Sequence, residues 1–131
     1  MIKTLKFFVK EAGLRIKYMT SRDCIFCKLI NDGGWASEPI LETDSIVAVS
    51  DINPVADVHI LIIPKNHIES VLTIGEKDSR DIIEMFSVAQ KIVEEKKLEA
   101  FRLAFNAGRF QHVPHLHMHL LAGGKVQWSK L

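Results

Sequence analysis

The chain has 131 residues, with 17 Lys+Arg against 16 Asp+Glu and a formal net charge of +1. That length suits one compact domain with a real hydrophobic core, and 47% hydrophobic with 25% charged residues excludes disordered, collagen-like and low-complexity classes. No run approaches the roughly 20 apolar residues of a membrane span, and the near-neutral total argues against a dedicated nucleic-acid binder.

Charge and histidine are both unevenly spread. Residues 1–18 hold Lys3, Lys6, Lys10, Arg15 and Lys17 against Glu11 alone, a net of +4, which leaves the remainder at −3. This extension places Leu5, Phe8, Val9, Ala12 and Ile16 at near-helical spacing. It reads as a terminal helix, or as translation from upstream of a start at Met19, with the domain itself spanning 19–131. Two cysteines, Cys24 and Cys27, are too few for a secreted disulfide scaffold. With no signal peptide in view, the expected compartment is reducing, the cytoplasm.

Residues 24–30 (CIFCKLI) read as a short helix closing at Asn31-Asp32-Gly33-Gly34. The β-branched runs at 46–51 and 59–63, separated by Asn53-Pro54, read as neighbouring antiparallel strands. A long amphipathic helix follows over 77–97, with Ile82, Ile83, Phe86, Ala89, Ile92 and Val93 as its apolar stripe. Residues 101–105 read as a strand, 106–111 as a loop and 115–122 as a final strand. Helices interrupting a mostly antiparallel set of strands make an α+β domain.

All six histidines lie between His59 and His119, and four fall in the window 112–119. His115, His117 and His119 alternate with Leu116, Met118 and Leu120. Strand alternation then puts three imidazoles on one face and three hydrophobes in the core. Same-face neighbours stand roughly 6.5–7 Å apart, too far for direct bonding but close enough to surround one phosphate-sized group. Metal ligation and nucleophilic catalysis by imidazole both fit such an array. A polar solvent face that happens to be histidine is the plainer alternative.

The segment 115–121 (HLHMHLL) resembles the histidine triad motif, in which three histidines alternate with hydrophobic residues. The resemblance to that superfamily runs from about Asp23 to Trp128. It includes the opening CIFCKLI, Asp51-Ile52-Asn53-Pro54, the run from His59 to Lys65, Asn106, and Gly123-Gly124 followed by Trp128. The late glycines and tryptophan are similar to the Hint branch, whose members are purine nucleoside phosphoramidases.

The resemblance implies His117 as nucleophile toward the α-phosphorus of a nucleoside 5′-phosphoramidate, through a covalent nucleotidyl-histidine. His59 and His119 would hold the phosphoryl oxygens, with Asn106 organising the same site. Asp51 matches the carboxylate that accepts the ribose hydroxyls, although a turn-forming Asp before Asn53-Pro54 reads equally well. Ile25, Phe26, Ile52 and Val113 would line the base pocket, where periodicity alone would place Ile25, Phe26 and Ile52 in the core. Trp128 resembles a residue that reaches the neighbouring subunit, which implies a homodimer. Cys24 and Cys27 would join His67 and His115 in a structural zinc site; the alternative is two reduced cysteines packing as small hydrophobes.

The loop departs from the Hint pattern. Phe110 replaces a glycine, and His112 stands where a small hydroxyl residue assists the leaving amine. His112 could supply that proton instead, or be a plain solvent-facing loop residue. The same site could also serve a dinucleoside polyphosphate hydrolase or a nucleotidyl transferase. A nucleotide-binding regulatory module with little catalysis is the reading from another class.

Overall fold

The computed structural model describes residues 23–131, so the expectations for residues 1–18 lie outside the described residues. Two helices and five strands follow in the order α1 (Ile25–Asp32), β1 (Leu41–Glu42), β2 (Ile46–Ser50), β3 (Val58–Pro64), α2 (Ser79–Lys96), β4 (Phe101–Ala104) and β5 (Met118–Ala122). The strands form one sheet in the order β1-β2-β3-β5-β4, and every neighbouring pair is antiparallel. The crossover through α2 carries the chain from β3 to the far edge strand β4, and β5 then fills the place between β3 and β4. The α+β expectation holds.

Both sheet faces are covered, which explains why β2 and β3 read as continuous apolar runs rather than alternating ones. On one face, Ile46, Ala48, Ile60, Ile62, Met118 and Leu120 pack against Met85, Val88, Ala89 and Ile92 of α2. On the other, Val47, Val49, Leu61 and Ile63 pack against Cys24 and Phe26 at the start of α1. The expected core hydrophobes Leu116, Met118 and Leu120 are all buried. The odd-numbered positions of β3 and β5 therefore face α1, and His59 and His119 come with them.

Local chemistry sets the ends. Cys24 caps α1, its Sγ accepting the Cys27 N–H at 3.3 Å, and Gly33 ends it with φ +77° and an N–H donated to Leu29. Beyond β5, Gly123 adopts φ +98° where a Cβ would sit 2.5 Å from that of Asp57, so only glycine passes. The Asp57 carboxylate in turn accepts the Gly124 N–H at 3.2 Å.

Three expectations need correction. The final strand starts at Met118, because 115 lies in a bend and 116–117 pair with no strand. The short edge strand β1 carried too little pattern to be read. The α2 stripe is rotated from the one expected: Ile83 is 67% and Phe86 42% exposed, while Met85 and Val88 are buried. The helix carries more apolar residues than its contact face needs, and the sheet selected 85, 88, 89 and 92. Ile92→Ala should then cost about 2–5 kcal/mol, whereas Ile83→Ala should stay within about 0.5 kcal/mol. Urea unfolding of the two variants beside wild type reads the difference.

Candidate active site and metal cluster

His59 and His119 are diagonal neighbours across the β3–β5 pair, since Leu61 registers with His119 and His59 with Leu121. Their rings meet, with His59 Nε2 2.9 Å from His119 Nδ1. His117 stands just before β5 on the same face, its ring centroid 5.0 Å from that of His119. Asp51 follows β2 and places Oδ2 3.2 Å from His59 Nε2. Its Oδ1 accepts the Asn53 N–H at 2.8 Å, so Asp51 is also the turn residue that its sequence context suggested.

The hydrogen-bond partners assign the tautomers. The Val55 N–H donates to His59 Nδ1 at 3.1 Å, so the ring proton of neutral His59 is on Nε2. That N–H faces both the Asp51 carboxylate and His119 Nδ1, which puts the His119 proton on Nε2. The Asn106 Nδ2, itself a donor, lies 3.4 Å from that nitrogen and makes no bond with it in this tautomer. His117 Nδ1 lies 2.7 Å from the His115 carbonyl oxygen and must donate to it. Its Nε2 is left with an unshared lone pair.

Burial governs the charge state of these rings. It is the largest influence on each and pushes His59, His117 and His119 below the ordinary imidazole value, His119 to about 3. Asp51 opposes the shift at His59 and, with the His115 carbonyl, at His117. At neutral pH the site is therefore a set of oriented neutral imidazoles beside one carboxylate.

These groups line a cavity of about 580 Å³ walled by Ile25, Phe26, Trp35, Ile52, Leu61 and Val113, with His112 also on its lining. That size suits a nucleotide-sized ligand. Ile25 and Ile52 are exposed at this opening rather than packed in the core. Phe26 is buried and meets Trp35 at 6.2 Å between centroids and His117 edge-on at 5.2 Å. His112 is solvent-exposed at the mouth, yet its charge is felt by both His117 and His119. Trp128 lies apart from this lining, half-exposed beneath the Arg102 guanidinium at 5.5 Å.

The three imidazoles share the face that α1 covers, as strand alternation predicts, but only His117 and His119 line the cavity. His115 is fully buried beneath α1. Its Nε2 donates to the Pro64 carbonyl at 2.7 Å, leaving the Nδ1 lone pair directed at Cys24 Sγ (3.3 Å), Cys27 Sγ (3.5 Å) and His67 Nδ1 (3.2 Å). Cys27 Sγ is 3.2 Å from His67 Nδ1, and all four atoms lie within 4.8 Å of one another.

These four residues can hold a metal. Tetrahedral zinc with Cys₂His₂ ligands has ligand–ligand edges of about 3.3–3.8 Å, and the observed separations approach them. The carbonyl bond on the far nitrogen of His115 is the usual outer partner of a ligating imidazole. Burial, then Cys24, pushes the Cys27 thiol up to about 12, so paired thiolates here call for a cation. Asp51, His59 and His119 also cluster within 4.8 Å, but ligation by His59 Nε2 conflicts with the Val55 N–H that holds the ring lone pair at Nδ1.

Sequence reasoning missed Val55, Pro64 and Gln111. Val55 and Pro64 act through the backbone and leave no residue-type signal. Gln111 donates from Nε2 to the Glu69 and Val113 carbonyls at 2.7 and 3.0 Å and so pins the loop carrying His112. A lone amide in a polar loop gives no warning of that. Trp35, an aromatic directly after two glycines, was a legible signal for a pocket wall.

A profile described as "Scavenger mRNA decapping enzyme C-term binding" matches residues 23–130. The chain is 32% identical over 117 residues to the adenosine 5′-monophosphoramidase HINT3 of Xenopus tropicalis, covering 86% of this chain and 76% of that protein. It is 36% identical over 107 residues to the purine nucleoside phosphoramidase of Escherichia coli, covering 79% and 89%. A histidine triad protein from Clostridium difficile superposes with a TM-score of 0.74 at 41% identity, covering 82% of this chain and 96% of that one. A zinc-bound histidine triad family protein from Mycobacterium smegmatis superposes at 0.66 with 27% identity, covering 80% and 78%.

The chain belongs to the histidine triad superfamily. Within it, the similarity is to the Hint-like hydrolases. No helix among the described residues is long and apolar enough to cross a membrane.

The buried rings make stability depend on acid. Below about pH 6.5 the unfolded chain protonates a His119 that the folded chain keeps neutral down to about pH 3. Stability is thus complete above that window and lost as pH falls through it, by about 1.4 kcal/mol per pH unit for each such proton. Urea unfolding at stepped pH between 6 and 4 should show a shallower loss for His119→Asn than for wild type. Equal slopes would contradict the buried neutral ring.

Proposed function

We propose that the protein hydrolyses the P–N bond of purine nucleoside 5′-phosphoramidates, with His117 as the nucleophile. The observation that carries this reading is the single bond from His117 Nδ1 to the His115 carbonyl, which aims the Nε2 lone pair into the cavity. The Nε2 lone pair attacks the α-phosphorus and forms an N–P bond. The P–N bond to the leaving amine breaks, and its electron pair takes a proton from protonated His112. Water then attacks the same phosphorus and returns a proton to His112, the N–P bond breaks back to Nε2, and nucleoside monophosphate departs. Covalent catalysis divides one hard displacement into two easier ones.

His119 serves the phosphoryl oxygens in this scheme as a neutral N–H donor, and His59, whose own N–H is committed to Asp51 and His119, holds it in place. Preorganised dipoles in a dry site stabilise developing charge without reorganising at the moment of reaction. The second lone pairs of the Asp51 oxygens are left for the ribose hydroxyls, and the apolar wall of Ile25, Phe26, Ile52 and Val113 takes the base. His112 faces the leaving group and donates its proton, since imidazole exchanges protons near neutral pH. Cys24, Cys27, His67 and His115 hold a structural zinc ion, which ties α1 to the end of β3 and the entry to β5. A second copy of the chain meets the region of Trp128 in the homodimer that the family resemblance implies.

Turnover of adenosine 5′-phosphoramidate tests the reading. His117→Ala should lose at least about 1000-fold in kcat. Asp51→Ala should act mainly by raising KM, having removed ribose binding. His112→Ala should slow substrates with poor amine leaving groups more than those with good ones. Turnover confined to a dinucleoside polyphosphate, or undiminished in His117→Ala, contradicts the assignment.

A further inference from the structure

The cavity lining divides by chemistry. Imidazoles and the Asp51 carboxylate come from β3, β5 and the loop after β2, whereas Ile25, Phe26, Leu29 and Trp35 come from α1 and the loop that follows it. Phe26 is the ring nearest the triad, but little of it is free. It is 7% exposed, and His115 and His117 meet it edge-on at 5.8 and 5.2 Å. Trp35 is the next ring in the row, its centroid 6.2 Å from that of Phe26 with the planes tilted by 42°. It is half-buried, backed by the core cluster beneath α1, and it lies on the cavity lining.

The backbone aims this side chain. After α1 ends at Asp32, Gly33 and Gly34 take φ +77° and +87° in succession, a left-handed pair that residues with a Cβ rarely adopt. The reversal keeps Gly34 beside Leu29 of α1, where an added Cβ would stand 3.9 Å from Leu29 Cδ2. Residue 35 is thereby returned to the cavity wall instead of continuing into solvent.

From this arrangement we infer that Trp35 is a specificity-determining residue, whose indole gives the two fused rings of a purine a stacking face that a one-ring pyrimidine covers only in part. This deepens the proposed function and rests on it for the nucleotide itself. Stacking on an aromatic side chain favours every base, so discrimination comes from the extra area that the second ring removes from water. Ile25, Ile52 and Val113 add apolar cover but no planar face. Phe26 is already engaged by the two histidines, and it supports the indole from the side of the triad. Among the described residues the ring contact of Trp35 is with Phe26, so its effect falls on binding and not on the displacement at phosphorus.

The test titrates the full-length protein with AMP, GMP, CMP and UMP by calorimetry, beside kcat and KM for adenosine and cytidine 5′-phosphoramidates. Trp35→Leu fills the same place against the core without an aromatic face, and Trp35→Phe keeps one ring in that packing. Wild type should bind AMP and GMP more tightly than CMP and UMP, and AMP should quench tryptophan emission in wild type but not in Trp35→Phe. Trp35→Leu should weaken purine binding about 5- to 150-fold and pyrimidine binding less, with the loss in KM and kcat little changed. Trp35→Phe should fall between the two. Purine selectivity that survives in Trp35→Leu, an equal loss for both base classes, a loss confined to kcat, or AMP binding without quenching overturns the inference. If purine binding depends on Trp35 as expected while no phosphoramidate is turned over, the proposed reaction fails and the role of Trp35 stands.

Discussion

The bond from His117 to the carbonyl of His115, two residues earlier, is the constraint on which the site depends. It forms because 115–117 precede the sheet, which frees that carbonyl from any strand partner. In β5 the same geometry is unavailable, since the backbone there is committed to its neighbours on both sides. A neutral imidazole has one donor and one acceptor, so fixing the donor fixes the direction of the acceptor. His119 faces the same cavity, but its Nδ1 is already taken up by His59.

The two-faced sheet supplies the environment in which this matters. With α2 on one side and α1 on the other, the triad rings are shielded from water and held neutral. On the proposed reading the phosphate would meet oriented N–H groups rather than lysine or arginine, and Asp51 the ribose. The −3 balance of residues 19–131 is consistent with such a site. The same fold brings His115 and the two cysteines together with His67 in a cluster that could hold a metal. The cavity and the cluster meet in the short stretch 115–119.

Much of this was legible in the residues. The strict alternation at 115, 117 and 119 located the site, and the family resemblance named the residues of the cluster. What alternation could not say is where the strand begins, because register depends on which backbone groups find partners across the sheet. The common face of three imidazoles held, but His115, before the strand, is covered by α1 while His117 and His119 line the cavity. The α2 stripe failed because a helix rich in Ile, Phe and Val offers several apolar faces, and only tertiary packing decides among Ile83, Met85 and Phe86. Ile25 and Ile52 show the converse. Their apolar character suggested core, but the fold leaves them at a rim where a ligand, not the protein, would cover them.

The contributions of Val55, Pro64 and His115 through their backbones were beyond any reading of residue types. They set tautomers, and tautomers set which nitrogen reacts. The central claim is therefore a statement about one atom, His117 Nε2, and the most direct measurement is the site of the covalent intermediate. Protein mixed with adenosine 5′-phosphoramidate, quenched on the millisecond scale and mapped by peptide mass spectrometry, should carry an adenylyl group on His117. An adduct on another residue, or none while turnover proceeds, would contradict the account.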